Sequence, residues 1–146
     1  MSQSQVLDHA WIAARIPHQA GMCLLDRVDE WSEAGAVCSA ISHRALDNPL
    51  RSRGKLSAAC AIEYAAQAMA VHGALIAQGT AQPQGFLASV RGAQFHVGRL
   101  DDIVTDLRAT VTRSGGDGSL MLYDFSIESA GRTLLEGRAT VFMQAV

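Results

Sequence analysis

Surplus positive charge, lysine, proline and paired cysteine are all scarce in this sequence, and each scarcity removes a class of function. Twelve Lys and Arg face fourteen Asp and Glu, a formal net charge of -2, so no basic surplus is available to hold a nucleic acid by its phosphates. Lys55 is the single lysine among the twelve, which leaves no lysine-rich tail or patch for a membrane surface. No apolar run reaches the ~18–20 residues that span a bilayer. Met1-Ser2-Gln3-Ser4-Gln5 lacks the basic flank and apolar core of a signal peptide. The expected setting is cytoplasmic, with neither nucleic acid nor membrane as partner. Cys23, Cys38 and Cys60 are odd in number and far apart, with no Cys-x-x-Cys spacing. Neither a disulfide framework nor a metal site is expected from them, and they read as buried thiols.

What remains is a globular composition. The chain has 146 residues and 15.5 kDa, 49% hydrophobic and 18% charged, enough for one domain over 1–146 with a real core. Leu7, Ala10, Trp11 and Ala14 fall at helical spacing within Ser4–Arg15, ahead of Pro17. Met22–Val28 and Ala34–Ser42 read as strands, the second with Val37 and Ile41 on one face. Ser57–Gln78 has no proline and holds nine alanines between Ala58 and Ala77. A helix this apolar around its circumference must be wrapped by other structure.

Beyond that helix the period changes to two. After a strand at Gly85–Phe95, the sets Leu107/Ala109/Val111, Met121/Tyr123/Phe125/Ile127 and Leu135/Gly137/Ala139/Val141/Met143 each share one face. Gly115-Gly116-Asp117-Gly118 and Ala130-Gly131 supply turns that need positive φ. The order predicts an α+β protein in which a curved antiparallel sheet wraps one long central helix, the arrangement called the hotdog fold. Such a helix and sheet leave one face poorly covered in a single protomer, so a homodimer or higher oligomer is expected.

Glu63 is the residue that stands out. A carboxylate on an apolar helix is expected to be desolvated and fit for proton transfer; the alternative is a side chain pointing to solvent. Gln67 follows four residues later, within reach of the same ligand. Of five histidines, His72 faces away from Glu63 and reads as core or inter-subunit. His9, His18 and His96 read as surface or turn residues. His43 lies in the irregular connection before the long helix, where loops place functional side chains. Arg44, Arg51, Arg53 and Lys55 precede the helix start. They suit a phosphate or an acidic protein partner, or serve only as a solvated loop. The amides of Ser57, Ala58 and Ala59 are expected to be unpaired and able to polarise a carbonyl oxygen.

Two stretches together resemble a known family. Ile16-Pro17-His18-Gln19-Ala20-Gly21-Met22-Cys23-Leu24-Leu25-Asp26-Arg27-Val28 is similar to the opening Leu-Pro-His-Arg-x-Pro-x-Leu-Leu-Val-Asp-Arg-Val of the 3-hydroxyacyl-carrier-protein dehydratases. Ile62-Glu63-Tyr64-Ala65-Ala66-Gln67 is similar to that family's Glu-x-x-Ala-Gln. Asn48-Pro49-Leu50-Arg51 and Ile62–Gly73 resemble a divergent branch found with aryl-polyene pigment synthesis.

The resemblance implies an acyl thioester on the phosphopantetheine of an acyl carrier protein or on coenzyme A, with no bound cofactor, in a tunnel between two protomers. It implies Glu63 as the acid that protonates the departing β-hydroxyl and Gln67 as its neighbour; Ser57 and Ala58, which stand where the family has Pro-Gly, and Arg51 are expected to bind substrate from their place at the helix start. The family's histidine base, in a Gly-His-Phe-Pro motif, has no counterpart in Asn48–Lys55; His43 is the nearest substitute. Three readings follow. One is a dehydratase with Glu63 and His43, and a second is a thioesterase using Glu63 alone. The third is a non-catalytic subunit completing the tunnel of an active dehydratase in a heterodimer.

Overall fold

The computed structural model describes residues 7–16, 20–77, 84–117 and 119–144. Pro17, His18, Gln78, Pro83 and Gly118 lie outside them. Helix α1 is His9–Ala13, shorter than the periodicity suggests, and Asp8 caps it by accepting the Trp11 N–H. Strand β1 is Arg27–Ser32 and β2 is Gly35–Ala40. The apolar run at Met22–Val28 is therefore mostly not a strand: Cys23, Leu24 and Leu25 are buried as an extended segment before β1. On β2 the core face carries Ala36, Cys38 and Ala40, while Ile41 is exposed. The expected Val37/Ile41 face is thus the outer one. Small residues serve as the interior face because the long helix passes close over this strand.

That helix, α2, runs Ala61–Ala77 after a 3-10 turn at Ala58–Cys60 capped by the Ser57 hydroxyl. By length and composition Ala58–Ala77 is apolar enough to cross a membrane, contrary to the reading that no run qualifies. Its setting explains the composition. Tyr64, Ala65, Ala68, Met69, Val71 and Leu75 are buried against the sheet, so the apolar surface is consumed by packing.

The remaining strands are β3 (Gln84–Phe95), β4 (Leu107–Gly116), β5 (Leu120–Ser129) and β6 (Arg132–Gln144). The sheet order is β1-β2-β4-β5-β6-β3, and every neighbouring pair is antiparallel. Register puts Val111 opposite Phe125 and Phe125 opposite Gly137; Ile127 lies between Ala109 and Leu135. Directly opposed residues share a face, so the predicted inward sets form one core under α2. The β5–β6 turn holds Ala130 at φ 51 and Gly131 at φ 80, matching the left-handed pair a tight hairpin requires.

Two features of this sheet matter for function. Helix α2 packs on β1, β2, β4 and β5, leaving the core face at β3 thinly covered. Leu87 and Phe95, opposite the inward Val141 and Leu135, are 40% and 46% exposed. The two sheet edges also differ. Edge strand β1 is six residues long, interrupted between Val28 and Glu30 and carries Arg27, Asp29 and Glu30. Edge strand β3 is twelve residues long. Short charged edges resist further pairing and long apolar ones invite it.

Candidate active site

Glu63 is the third residue of α2, half-buried in its first turn. A carboxylate there also complements the helix dipole, worth about 0.3–1 kcal/mol. From Glu63 the side of the helix not packed on the sheet continues through Ala66, Ala70, Gly73 and Ala77, all half-buried. Their spacing of three and four makes a lane nearly free of side-chain bulk, ~20 Å long at 1.5 Å per residue, with Glu63 at its head.

Gln67 is turned the other way. It is fully buried; its Oε1 accepts the Leu24 N–H at 2.8 Å and its Nε2 donates to the Met22 carbonyl at 2.6 Å. Both ends of the amide are committed to the segment before β1. One turn of helix separates it from Glu63 in sequence, yet the fold gives the two side chains different surroundings.

The connection between β2 and α2 forms a strap knotted to the helix start. Ser42 Oγ donates to the Leu24 carbonyl at 2.7 Å, so the Tyr64 hydroxyl, 2.8 Å away, must donate to Ser42. Asn48 Nδ2 then donates to the Tyr64 oxygen at 3.2 Å and to the Ser42 carbonyl at 2.9 Å, while its Oδ1 accepts the Leu50 N–H. Burial raises the Tyr64 phenol above its ordinary value, with Ser42 and Asn48 opposing. Sequence reasoning missed this knot; the signal was Asn48 and Tyr64 sitting inside the two family-like stretches.

His43 lies within that strap and is fully buried. Its Nε2–H donates to the carbonyls of Ile103 at 3.1 Å and Thr105 at 3.0 Å, which leaves Nδ1 as a buried lone pair without a hydrogen-bond partner. Burial lowers its pKa, and the carbonyl bonds oppose. The ring has the tautomer of an oriented base but is closed off from solvent. His72 is a core histidine: Nε2–H donates to the Ser32 carbonyl at 2.9 Å, and Nδ1 accepts the Tyr123 hydroxyl at 2.8 Å. His9 bonds the Leu25 carbonyl, and His96 pairs with Glu136 at 2.9 Å on the surface. None of these four has Glu63 as its partner.

The helix start is more satisfied than expected. Ala58 N–H donates to Gly98 O at 3.1 Å, Ala59 N–H to Ser57 Oγ at 3.2 Å and Cys60 N–H to Ser57 O at 3.0 Å. The amides of Ala58 and Ala59 are thus not the free carbonyl-polarising donors that an isolated helix end suggests, because the 96–100 segment and the Ser57 cap use them. Arg51 likewise holds the strap: Nη1 donates to Gly54 O at 2.7 Å and Nη2 to His43 O at 3.2 Å. A cavity of about 590 Å³ lies among Arg91, Gln94, Thr110, Thr112, Asp124 and Arg138 and includes no α2 residue. Among the described residues, no group of His, Cys, Asp and Glu is placed to hold a metal ion.

No curated protein matches the chain. Among solved structures it is similar to a chain of the dehydratase heterocomplex ApeI:P from Xenorhabdus doucetiae: TM-score 0.82, 22% identity, 92% of this chain and 91% of that one. It is also similar to a mutant of the thioesterase PA1618 from Pseudomonas aeruginosa, at TM-score 0.64 and 16% identity over 97% of both chains. A third likeness is to a hypothetical thioesterase with coenzyme A from Streptococcus pneumoniae, at TM-score 0.59 and 14% identity over 82% of this chain and 85% of that one. These identities establish the hotdog fold. The ApeP-like family, described as ApeP dehydratase, matches residues 10–145. That span takes in all six strands and the helix bearing Glu63, and the chain belongs to the ApeP-like dehydratase family.

Proposed function

We propose that this chain is one subunit of a heteromeric dehydratase acting on 3-hydroxyacyl thioesters borne by an acyl carrier protein. Glu63, half-buried at the head of a bulk-free lane on α2, is the observation that carries this reading. The lane suits an extended acyl-pantetheine arm, and the carboxylic acid donates its proton to the departing β-hydroxyl. A base removes the Cα proton, water leaves and a trans-2-enoyl thioester remains. His43 is enclosed in this protomer, and in this reading the base comes from a second chain. That chain pairs along the open β3 edge and covers Leu87 and Phe95, consistent with a structural neighbour that is itself part of a dehydratase heterocomplex.

The test is to purify the chain alone and with its co-expressed dehydratase-type partner, supply 3-hydroxyacyl carrier protein, and follow loss of water by mass spectrometry. Turnover by the pair, reduced ~10²–10⁴-fold in Glu63→Gln, is expected. Full activity of that variant makes the chain a non-catalytic subunit. Turnover by the isolated chain, abolished in His43→Asn, restores His43 as the base.

A second reading, hydrolysis of the thioester, is favoured by one observation: Glu63 is a half-buried carboxylate in the first turn of α2, and a single carboxylate suffices to activate water. Release of free thiol from acyl-coenzyme A, lost in Glu63→Gln, separates it from dehydration.

A further inference from the structure

We propose that the outer face of the sheet, turned away from α2, is a contact between two copies of this chain related by a two-fold axis between β5 and β6. Tyr123, Phe125 and Ala139 are buried on the α2 side. Alternation therefore turns Leu120, Asp124 and Ser126 of β5, with Glu136, Arg138 and Phe142 of β6, outward. Leu120 stands opposite Phe142, Asp124 opposite Arg138 and Ser126 opposite Glu136. A two-fold axis along the line between these strands lays β5 of one copy over β6 of the other. The residue that neighbours each side chain across the ladder then also faces it from the second copy. Leu120 meets Phe142, the Asp124 carboxylate meets the Arg138 guanidinium, the Ser126 hydroxyl meets the Glu136 carboxylate, and every contact occurs twice. The flanking strands exchange by the same operation. Thr112 of β4, in register with Asp124, comes over Arg91 of β3, in register with Arg138; Thr110 likewise comes over Gln94. Among the described residues of these rows, no like charges oppose.

Size and composition agree with this geometry. Asp124 and Arg138 lie at the middle of their strands, and the adjacent β4, β5, β6 and β3 are the four longest, so the axis bisects the face. At ~4.8 Å between strands and ~33 Å along them, four strands offer ~600 Å² in projection. Each side of a standard interface buries about 800 Å² of accessible surface. Within one chain the Asp124–Arg138 pair is loose, 3.6 Å apart with side chains 54% and 81% exposed. Leu120, Leu122 and Phe142 are exposed together at one end of the face. A second copy shields both features: four charges close into an alternating ring, and apolar end covers apolar end. Aligned sheets cross at about 30°, a rotation centred on the ring that keeps those ends matched. The cavity of about 590 Å³ opens on the same face and leaves room for bridging water beside the charges. The contact uses faces and not edges, so it stands beside pairing along β3 and does not rest on it.

The experiment reads native mass across a dilution series, for the full chain and for the chain co-expressed with a dehydratase-type partner. Asp124→Arg and Arg138→Asp each set four like charges at the centre of the contact. Each is expected to halve the mass of the parent assembly and to weaken association about a hundredfold or more. Mixed in equal amounts, the two variants are complementary, and the parent mass is expected to return with one copy of each. That rescue separates the contact from the in-chain pair, which stays broken in both variants. Should a reversed charge unfold the chain, as a thermal melt shows, Leu122→Glu at the apolar end is expected to halve the mass in its place. A parent assembly holding one copy of this chain overturns the proposal and leaves the face to another protein or to solvent. Unchanged mass in a folded variant overturns it too, as does a mixture that does not reassemble.

Discussion

At the scale of single residues, Glu63 and Gln67 divide labour within one helical turn. Gln67 is a tie: its amide replaces backbone partners for Leu24 and Met22. Gln67→Ala strands one buried donor and one buried acceptor at about 1–3 kcal/mol each, so a urea melt is expected to show a loss of ~2–6 kcal/mol. Glu63→Gln keeps shape and removes the exchangeable proton of a half-buried side chain. Its unfolding free energy in a urea melt is expected to fall by less than that of Gln67→Ala, while turnover collapses. Should both variants unfold alike, Glu63 is a structural residue. Tyr64→Phe tests the strap knot: Ser42 Oγ loses its donor and Asn48 an acceptor, for an expected ~1–2 kcal/mol.

At the scale of elements, close approach decides which substitutions the sheet tolerates. A Cβ on Gly35 meets the Val111 carbonyl oxygen at 2.1 Å where β2 pairs with β4. Backbone cannot yield there as a side-chain tip can, so Gly35→Ala is expected to cost ~2–3 kcal/mol or more, read by denaturant melts or loss of soluble protein. At Gly137 the added Cβ meets Phe125 Cζ at 3.0 Å and Ala93 Cα at 3.2 Å, beside the Arg91/Gln94 bulge. Gly137→Ala is expected to shift β3 against β6 and to weaken subunit pairing before it unfolds the protomer. Native mass measurement of the co-expressed pair reads that outcome.

At the scale of the whole molecule, two neutral histidines make the fold sensitive to acid. Burial lowers both His43 and His72 below the ordinary 6.5, against opposing carbonyl bonds. The unfolded chain therefore binds more protons through that range, and stability rises with pH there. The contribution is complete above about pH 6.5 and is lost as pH falls below it. A flat urea midpoint between pH 7 and 8, declining below 6.5, is expected, with a shallower decline in His72→Gln. A midpoint that rises on acidification contradicts this origin. Burial also pushes the Cys38 thiol up to about 12, so alkylating reagents are expected to spare it in the folded protein.

Alternation and composition by themselves determined the architecture. The alanine-rich run had to be an enclosed helix, and the period-two sets from Leu107 to Met143 had to face it, because apolar burial dominates and follows the chain's own periodicity. They also marked Glu63, since a lone carboxylate breaks an apolar pattern visibly. Which β2 face turns inward was not legible, because alanine and cysteine at 36, 38 and 40 give a weak signal beside Val37 and Ile41. Only the tertiary structure decided the fate of Gln67, His43, Arg51 and the Ala58 amide. Their partners lie at Met22, Ile103, Gly54 and Gly98, and for most of them the chain must close across long separations before donor meets acceptor. A polar side chain's role is fixed by what the fold brings within 3 Å of it, and no local pattern records that.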